Sequence, residues 1–417
     1  MNPYPIKTKR THSIEQVWVN FERFSRAGAD LTLAGRIMSI REHGGSTFIH
    51  FEDGSARLQA YFKRDKLGSK AYKFFLDNFD IGDHIEISGR LFKTKKGEKT
   101  LEAANFRMLA KSLLPLPEKW HGLRDIEERF RKRYLDLIMN PAVREQFRMR
   151  SRIVEELRNI LDGYGFLEVE TPILQPIPGG ALAKPFKTRL NALKMDLYLR
   201  VAPELYLKRL LVGGFEKVYE IGRCFRNEGM DRFHNPDFTL LECYWAYQDR
   251  DGLMDFVQKM MVDLVKKTKR TLQIVYQGKK ISFKTPWRRI KFKDIDFEKD
   301  KAKIIQPTFV VDHPVEMAIL AKAKEKDPKT ADRFQLIVGG IELINGFSEL
   351  NNPLEQERRF KTARVESERK DKDFLEALQY GMPPAAGLGM GIDRLTLLLT
   401  DTHSLREVIL FPTMRPK

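Results

Sequence analysis

Cysteine is nearly absent: 417 residues carry two, Cys224 and Cys243, with no metal-ligand spacing between them. Neither a disulfide framework nor a structural zinc site is therefore expected. Runs of about eighteen apolar residues, the length that crosses a bilayer, are also missing, so no membrane association is expected. The opening MNPYPIKTKRTHSIEQ has no apolar stretch of the secretory kind, and the expected compartment is the cytoplasm. Two nucleotide signatures are missing as well, the P-loop G-x-x-x-x-G-K-[ST] and the dinucleotide G-x-G-x-x-G. Any nucleotide bound here must be held in another way. What abounds is positive charge: 74 Lys and Arg against 57 Asp and Glu, a net +17. That excess attracts polyanions, nucleic acid above all, although the same lysines also serve solubility.

The chain is long enough for two domains with separate cores. From Asp30 to about Lys111 it reads as short alternating strands broken by turns. DLTLAGRIMSIRE, TFIHFED and ARLQAYFKR come first, then the helical GSKAYKFFLDNFD, then further strands around a KKGEK hairpin. Five strands with a helix after the third is the order of an OB fold, a small barrel whose open face takes single-stranded nucleic acid. Residues 1–29 read as an N-terminal extension, 30–112 as the barrel and 113–140 as a linker region opened by the proline-containing PLPEKWHGL (115–123). Residues 141–417 read as an α+β domain without the βαβ alternation of a doubly wound fold. Within it, the stretch from KKTKR to KDKAKI (266–304) is strongly basic and reads as irregular.

Three segments carry candidate chemistry. In FRNEGMDRFHNPDFTLLECYWAY (225–247), Arg226 at a strand end suits a phosphate, because guanidinium stays charged and offers a forked donor set. Phe238 on the returning strand offers a flat face to a base. Taken singly, Arg226 and Glu228 would be an ordinary surface ion pair and Phe238 ordinary core. In GLGMGIDRLTLLLTDTHSLREVILFP (387–412), a helix starting near Ile392 has Arg394 in its first turn. A cation there opposes the helix dipole, which fits an arginine aimed at a phosphate rather than one stabilising the helix. The third segment, FLEVETPILQPIPGG (166–180), is a strand ended by Pro172, and GGFEKVYEIGRC leads into the first.

In order and spacing these segments resemble motifs 1, 2 and 3 of the class II aminoacyl-tRNA synthetases. APELYLKRLLVGGFEKVYEIGRCFRNEG, HNPDFT, INGFSELNNP and LFPTMRP are closer to the lysyl branch than to the aspartyl or asparaginyl ones. The resemblance runs from about Asp30 to the C-terminus. It implies an OB-fold anticodon-binding barrel followed by an antiparallel-sheet catalytic domain, acting as a homodimer on ATP, L-lysine and lysine tRNA with Mg²⁺. At matching positions it implies that Arg226 meets the lysine carboxylate and the α-phosphate, and that Glu228 and His234 position ATP. Phe238 would stack on adenine and Arg394 would meet the γ-phosphate. Gly180 and Glu204 would hold the α-amino group. Glu242 and Glu349, helped by Tyr244, would hold the ε-ammonium in a pocket shared with Asn345 and Phe347. Glu342 would hold Mg²⁺, and Arg41, Phe48 and Gln59 would read the anticodon. A buried ammonium does need carboxylates and hydrogen bonds to offset its desolvation.

The chain departs from the family at three places. Gln335 stands where the first carboxylate of the Mg²⁺ pair is usual, and an amide supplies an oxygen but no charge. Ala318-Ile319 replaces Ser-Pro, and the segment near 285–303 is several tens of residues shorter. Two rival readings follow from the same scaffold: a paralogue that lysylates another acceptor, and an RNA-binding protein without catalysis.

Overall fold

A computed structural model describes residues 3–117, 123, 125–181, 183–362 and 371–416. The chain divides into two compact units, Met1–Gly122 and Leu123–Lys417.

The first unit is a closed barrel of β1 (Leu31–His43), β2 (Ser46–Glu52), β3 (Arg57–Lys63), β4 (His84–Lys93) and β5 (Lys99–Ala110), in the order β1-β2-β3-β5-β4. Strict alternation builds it: on β2, Thr47, Ile49 and Phe51 point inward while Phe48 and His50 point outward. The residues expected to be an extension contribute two short helices, α1 (Ile14–Val19) and α2 (Phe21–Arg26). Ser13 and Gln16 close a capping box at the start of α1, and Ile14, Val17 and Phe21 are buried in the barrel's core. Helix α3 (Ser69–Asn78) follows β3, and its Tyr72 and Phe75 join the same core.

The second unit begins inside the stretch read as a linker. Residues 118–122 of PLPEKWHGL lie outside the described residues, but α4 (Ile126–Arg131) and α5 (Arg133–Met139) are already folded elements. Helix α6 (Pro141–Gly163) follows, with proline at its first position, where the missing N–H costs nothing. The main sheet uses β6 (Leu167–Glu168), β7 (Lys217–Phe225), β8 (Asp237–Ala246), β9 (Arg288–Lys291), β10 (Thr308–Val311), β11 (Arg333–Val338), β12 (Ile341–Ser348) and β13 (Ala385–Gly391). Its order is β9-β10-β11-β12-β13-β8-β7-β6. The interior pairings are antiparallel, as expected, while β9 and β6 add to the two edges in parallel.

One face of this sheet is dry. Leu241 and Cys243 of β8, Leu388 and Met390 of β13 and Ile344 of β12 pack against α6 and α8 (Arg250–Lys269). The period of two then sends Glu242 and Tyr244 to the opposite face. Helix α7 (Glu204–Val212) borders that second face, whereas α9 (Ile392–Leu399) packs its leucines into the dry core and brings only Asp393 and Arg394, at its start, to the cleft.

The basic stretch 266–304 is not irregular. Gln273–Tyr276 and Lys279–Ser282 form a hairpin turned by Gln277 and Gly278, both at positive φ. Ile274, Tyr276 and Ile281 are buried in the main core, and β9 is the parallel edge of the sheet. Lysines on the solvent face conceal a real alternation.

Arg133, 1% exposed, fastens α5 to the C-terminal segment. Its guanidinium donates to Asp136 Oδ2 (2.6 Å) and to the carbonyls of Arg406 (2.8 Å) and Leu410 (3.0 Å). Arg133→Met keeps the volume but removes the donor from Asp136 Oδ2 and from the carbonyls of Arg406, Ile409 and Leu410, while Arg129 and Asn140 still reach Asp136 Oδ1. It should destabilise the second unit by about 3–5 kcal/mol, measured as a shift in denaturant midpoint. A loss under about 1 kcal/mol would show that water replaces these bonds freely.

Candidate active site

Strand register assembles the site in two rows. Glu242, Gly389, Asn345 and Gln335 are successive cross-strand partners on β8, β13, β12 and β11. Tyr244, Gly387, Phe347 and Arg333 form the next row. The glycines of GLGMG are thus the floor between the two rows of side chains. A Cβ on Gly387 would collide with the Tyr244 ring and the Glu349 carboxylate, whereas one on Gly389 would only touch Glu242 Cγ at 3.7 Å. Gly180, at φ +87°, brings its loop against Ala202 and Glu204, a conformation that disfavours any side chain.

Gly180, Glu204, Arg226, Glu228, His234, Phe238, Glu242, Tyr244, Glu342, Asn345, Phe347 and Arg394 all line one cleft of about 330 Å³, within the size range of small-molecule sites. The two ends of this cleft differ in sign. At one end, Arg226 stands 5.0 Å over the Phe238 ring and makes no ion pair among the described residues; its Nε is buried with no hydrogen-bond partner. Arg394 Nη2 lies 3.2 Å from His234 Nε2, while His234 Nδ1 faces Asp231 Oδ2 at 2.8 Å. Arg394 Nη1 donates to the Glu342 carbonyl at 3.2 Å. Asp393, beside Arg394, accepts from the backbone N–H of Thr239 (3.0 Å) and pairs with Arg150 of α6 (2.6 Å), which ties the helix start to β8. Glu228 accepts from the Lys184 N–H at 3.3 Å. This end presents unpaired cationic donors to an anion.

The other end is acidic. Glu242 is 5% exposed, and its Oε2 accepts from the Tyr244 hydroxyl at 3.1 Å. Burial, with the charge of Glu204, holds its carboxyl well above the usual range. Burial likewise raises Tyr244 and keeps it a proton donor. Glu349 does not line the cleft. It lies on the same face of the sheet as Tyr244, against Gly387, its side chain fully buried, with Oε2 2.5 Å from Lys208 Nζ and Oε1 accepting no hydrogen bond. Burial pushes it up to about 8 against the pull of Lys208. Lys208 was not singled out in the sequence, although PELYLK carries the signal: an acid and a base four apart share a helix face.

Glu342 is the one carboxylate of the expected metal pair. Gln335 is 5% exposed, and its Oε1 is 2.8 Å from His313 Nε2, away from the cleft lining. Burial and nearby Arg333 bring His313 down to about 4, so the ring is neutral. Among the described residues no group of three or more His, Cys, Asp or Glu is placed to hold a metal by itself.

On the barrel, Phe48 stacks on Tyr61 at 4.6 Å, and Tyr61 meets Phe92 at 6.0 Å. Arg41 is the cross-strand partner of Phe48 and is exposed. Gln59 is 6% exposed, with its amide on Thr100 Oγ1 (2.8 Å) beside Glu98, so it is already engaged. Tyr61, missed in the sequence, completes the platform; its signal is its place opposite Phe48 in the hairpin register.

Residues 125–415 match the model of the class II tRNA synthetases (D, K and N), and residues 31–109 match that of the OB-fold nucleic acid binding domain. The lysine–tRNA ligase of Carboxydothermus hydrogenoformans is 47% identical across all of this chain and 95% of its own length. That of Pelotomaculum thermopropionicum is 47% identical across all of this chain and 92% of its own length, and that of Fervidobacterium nodosum 44% and 91%. The first alignment runs over 466 positions against 417 residues here, so the relative carries segments that this chain lacks.

The glycine floor makes a paired test. Gly387→Ala should cost about 1–3 kcal/mol of stability through overpacking. Gly389→Ala should be neutral or gain up to about 1 kcal/mol. Equal effects in chemical denaturation would contradict the assignment of Gly387 as the close approach.

Proposed function

The chain belongs to the class II tRNA synthetases, in the lysine–tRNA ligase branch, and we propose that the two ends of its cleft divide the substrates of lysine activation between them. It charges tRNA with lysine, as its full-length relatives are named for doing. The observation that carries the division is the change of sign along one cleft: Arg226, His234 and Arg394 at one end, Glu204 and Glu242 at the other.

ATP enters at the cationic end, with adenine on the free face of Phe238, Glu228 and His234 orienting it and Arg394 on the γ-phosphate. Lysine enters with its ε-ammonium toward Glu242 and Tyr244, its α-amino group at Gly180 and Glu204, and its carboxylate at Arg226. The lysine carboxylate oxygen attacks the α-phosphorus, the bond to the β-phosphate oxygen breaks, and pyrophosphate leaves. Among the described residues Arg226 makes no ion pair and its Nε has no hydrogen-bond partner, so its charge is available to both reacting anions. No protein base is needed, because the nucleophile is already ionised; the rate comes from placement and electrostatic stabilisation. In the second step a terminal hydroxyl of the tRNA attacks the adenylate carbonyl and AMP departs.

Magnesium, when bound, would supply positive charge on the phosphate oxygens. The donor set fits an ion that arrives on ATP and takes one protein carboxylate, Glu342, as magnesium commonly does. Gln335, turned to neutral His313, leaves this pocket with less negative charge than a carboxylate pair would give.

Phe48, Tyr61 and Arg41 form the face that takes the unstacked bases of the anticodon, by stacking and phosphate contact. A second copy of the chain pairs along the motif 1 segment. Its Leu167, Ile173 and Leu174 are about half exposed, and β6 is the free edge of the sheet.

ATP–pyrophosphate exchange should depend on L-lysine, with aspartate and asparagine inactive; exchange with either at a comparable rate would overturn the assignment. Phe48→Ala with Tyr61→Ala should leave exchange intact and weaken tRNA charging, since each lost stacking partner costs about 1–3 kcal/mol.

A further inference from the structure

Strand β12 runs the length of the cleft from its phosphate end to its ammonium end. Glu342, the metal carboxylate, comes first, then Asn345 and Phe347, with Glu349 and its acidic surroundings just beyond the strand. Asn345 therefore faces the middle of the cleft. On the reading above, that is where the lysine carboxylate approaches the α-phosphate.

What Asn345 offers there is decided by Arg333. The two residues are diagonal neighbours on β12 and β11, and Arg333 Nε donates to Asn345 Oδ1 at 2.8 Å. A guanidinium can only donate, so the amide turns its oxygen to Arg333 and its NH2 group the other way. Asn345 lines the cleft, and among the described residues its Nδ2 meets no acceptor of the chain. Such N–H donors suit an anion and cannot serve an ammonium.

Arg333 is itself braced. Its Nη1 donates to the Met317 carbonyl at 3.1 Å, in the loop 315–321 that carries Ala318-Ile319. Buried side chains of the helix Pro353–Thr362 fasten the same loop from another side. Arg359 Nη1 donates to the Ala321 carbonyl (2.6 Å) and Gln356 Nε2 to the Ile319 carbonyl (3.2 Å). Arg333 makes no ion pair among the described residues, and the charge of Glu342 acts on it without contact. Its guanidinium is therefore spent on one carbonyl and one amide.

We propose that Arg333 is a positioning residue for lysine activation, locking the Asn345 amide so that Nδ2 donates to the α-carboxylate of the substrate. This rests on the lysine-activating reading above. With one carboxylate oxygen held by Nδ2, the other is left to attack the α-phosphorus, while Arg226 neutralises both anions. An unlocked amide can rotate and present its oxygen instead, and an acceptor facing a carboxylate is repulsive.

The test follows lysine-dependent ATP–pyrophosphate exchange in the full-length protein, with pentane-1,5-diamine, which is lysine without its carboxylate, as a competitive inhibitor. Arg333→Met should lower kcat/KM for lysine by about tenfold or more, as expected for a lost hydrogen bond to a charged group. The inhibition constant of the diamine and the KM for ATP should each stay within about twofold of the parent. A merely structural role would weaken all three alike. Asn345→Ala should show the same split, and adding Arg333→Met to it should cost nothing further, because the arginine acts through the amide.

A double variant as poor as the product of the two singles would overturn the proposal, since Arg333 would then act by another route. Diamine inhibition weakened as much as lysine use in Arg333→Met would overturn it as well. Should Arg333→Met not fold, Asn345→Asp asks the same question: the new carboxylate pairs with Arg333, and the donor facing the cleft is lost. There kcat/KM for lysine should fall by more than about tenfold while diamine inhibition holds or tightens; a value within about twofold of the parent would rule the proposal out. No lysine-dependent exchange in the parent protein would overturn the functional reading, and this proposal with it.

Discussion

A charge taken out of water must be met by an opposite charge, and the catalytic unit is arranged around that requirement at its deepest point. Glu204, Glu242 and Glu349 converge on a space shared with one lysine and bordered by one arginine. With the pocket empty there is more acid than base, and burial keeps Glu242 from ionising as an ordinary carboxylate does. A ligand carrying an ammonium group supplies the missing charge. An uncharged side chain of the same length would leave the acids unpaired, which turns a small chemical difference into a large one.

The rest of the unit serves this placement. Antiparallel register sets Glu242 and Tyr244 opposite Gly389 and Gly387, so the acid and its hydroxyl partner stand over a floor with no side chains. The period of two that aims them at the cleft sends Leu241 and Cys243 into the core beneath α6 and α8. Arg226 follows directly on β7, and Asp393 ties the start of α9 to β8 and α6, which fixes Arg394 near His234. Rigid strands and a pinned helix end are what catalysis by positioning needs, because its contribution falls away within an ångström of misplacement. The barrel carries a different surface on a separate unit, stacked aromatic rings beside an exposed arginine, which we propose reads bases by stacking.

Much of this was legible in the sequence. Alternation in TFIHFED and ARLQAYFKR predicts the barrel strands. The order of the three motifs predicts the cleft, and twelve of the thirteen residues assigned to ATP, lysine or metal line it. The exception is Glu349, the residue after β12, whose buried carboxylate is enclosed by Gly387, Tyr244 and Lys208. Lys208 escaped notice because a lysine four residues from a glutamate reads as a solvated pair unless the burial of that helix face is known. The stretch 266–304 read as irregular because lysines interrupt an apolar alternation whose inward half, Ile274, Tyr276 and Ile281, is short. Gln335 was recognised as a departure, but its partner His313 follows the end of the neighbouring strand β10, and no local pattern joins the two.

The central claim is that lysine binds by replacing protons in a buried acidic pocket, and calorimetry of that binding tests it most directly. In the empty pocket Glu349 is ion-paired to Lys208, while burial and the nearby charge of Glu204 hold the Glu242 carboxyl well above the ordinary carboxylate range, so that it keeps its proton. The arriving ammonium stabilises its ionised form and lowers it, so the proton leaves as lysine enters, and affinity strengthens as pH rises. Titrating L-lysine into the protein at about pH 7, in buffers of different ionisation enthalpy, should show release of up to about one proton per lysine bound, diminishing at higher pH. A binding heat independent of the buffer, or an uptake of protons, would mean that Glu242 is already ionised in the empty site and would contradict the account.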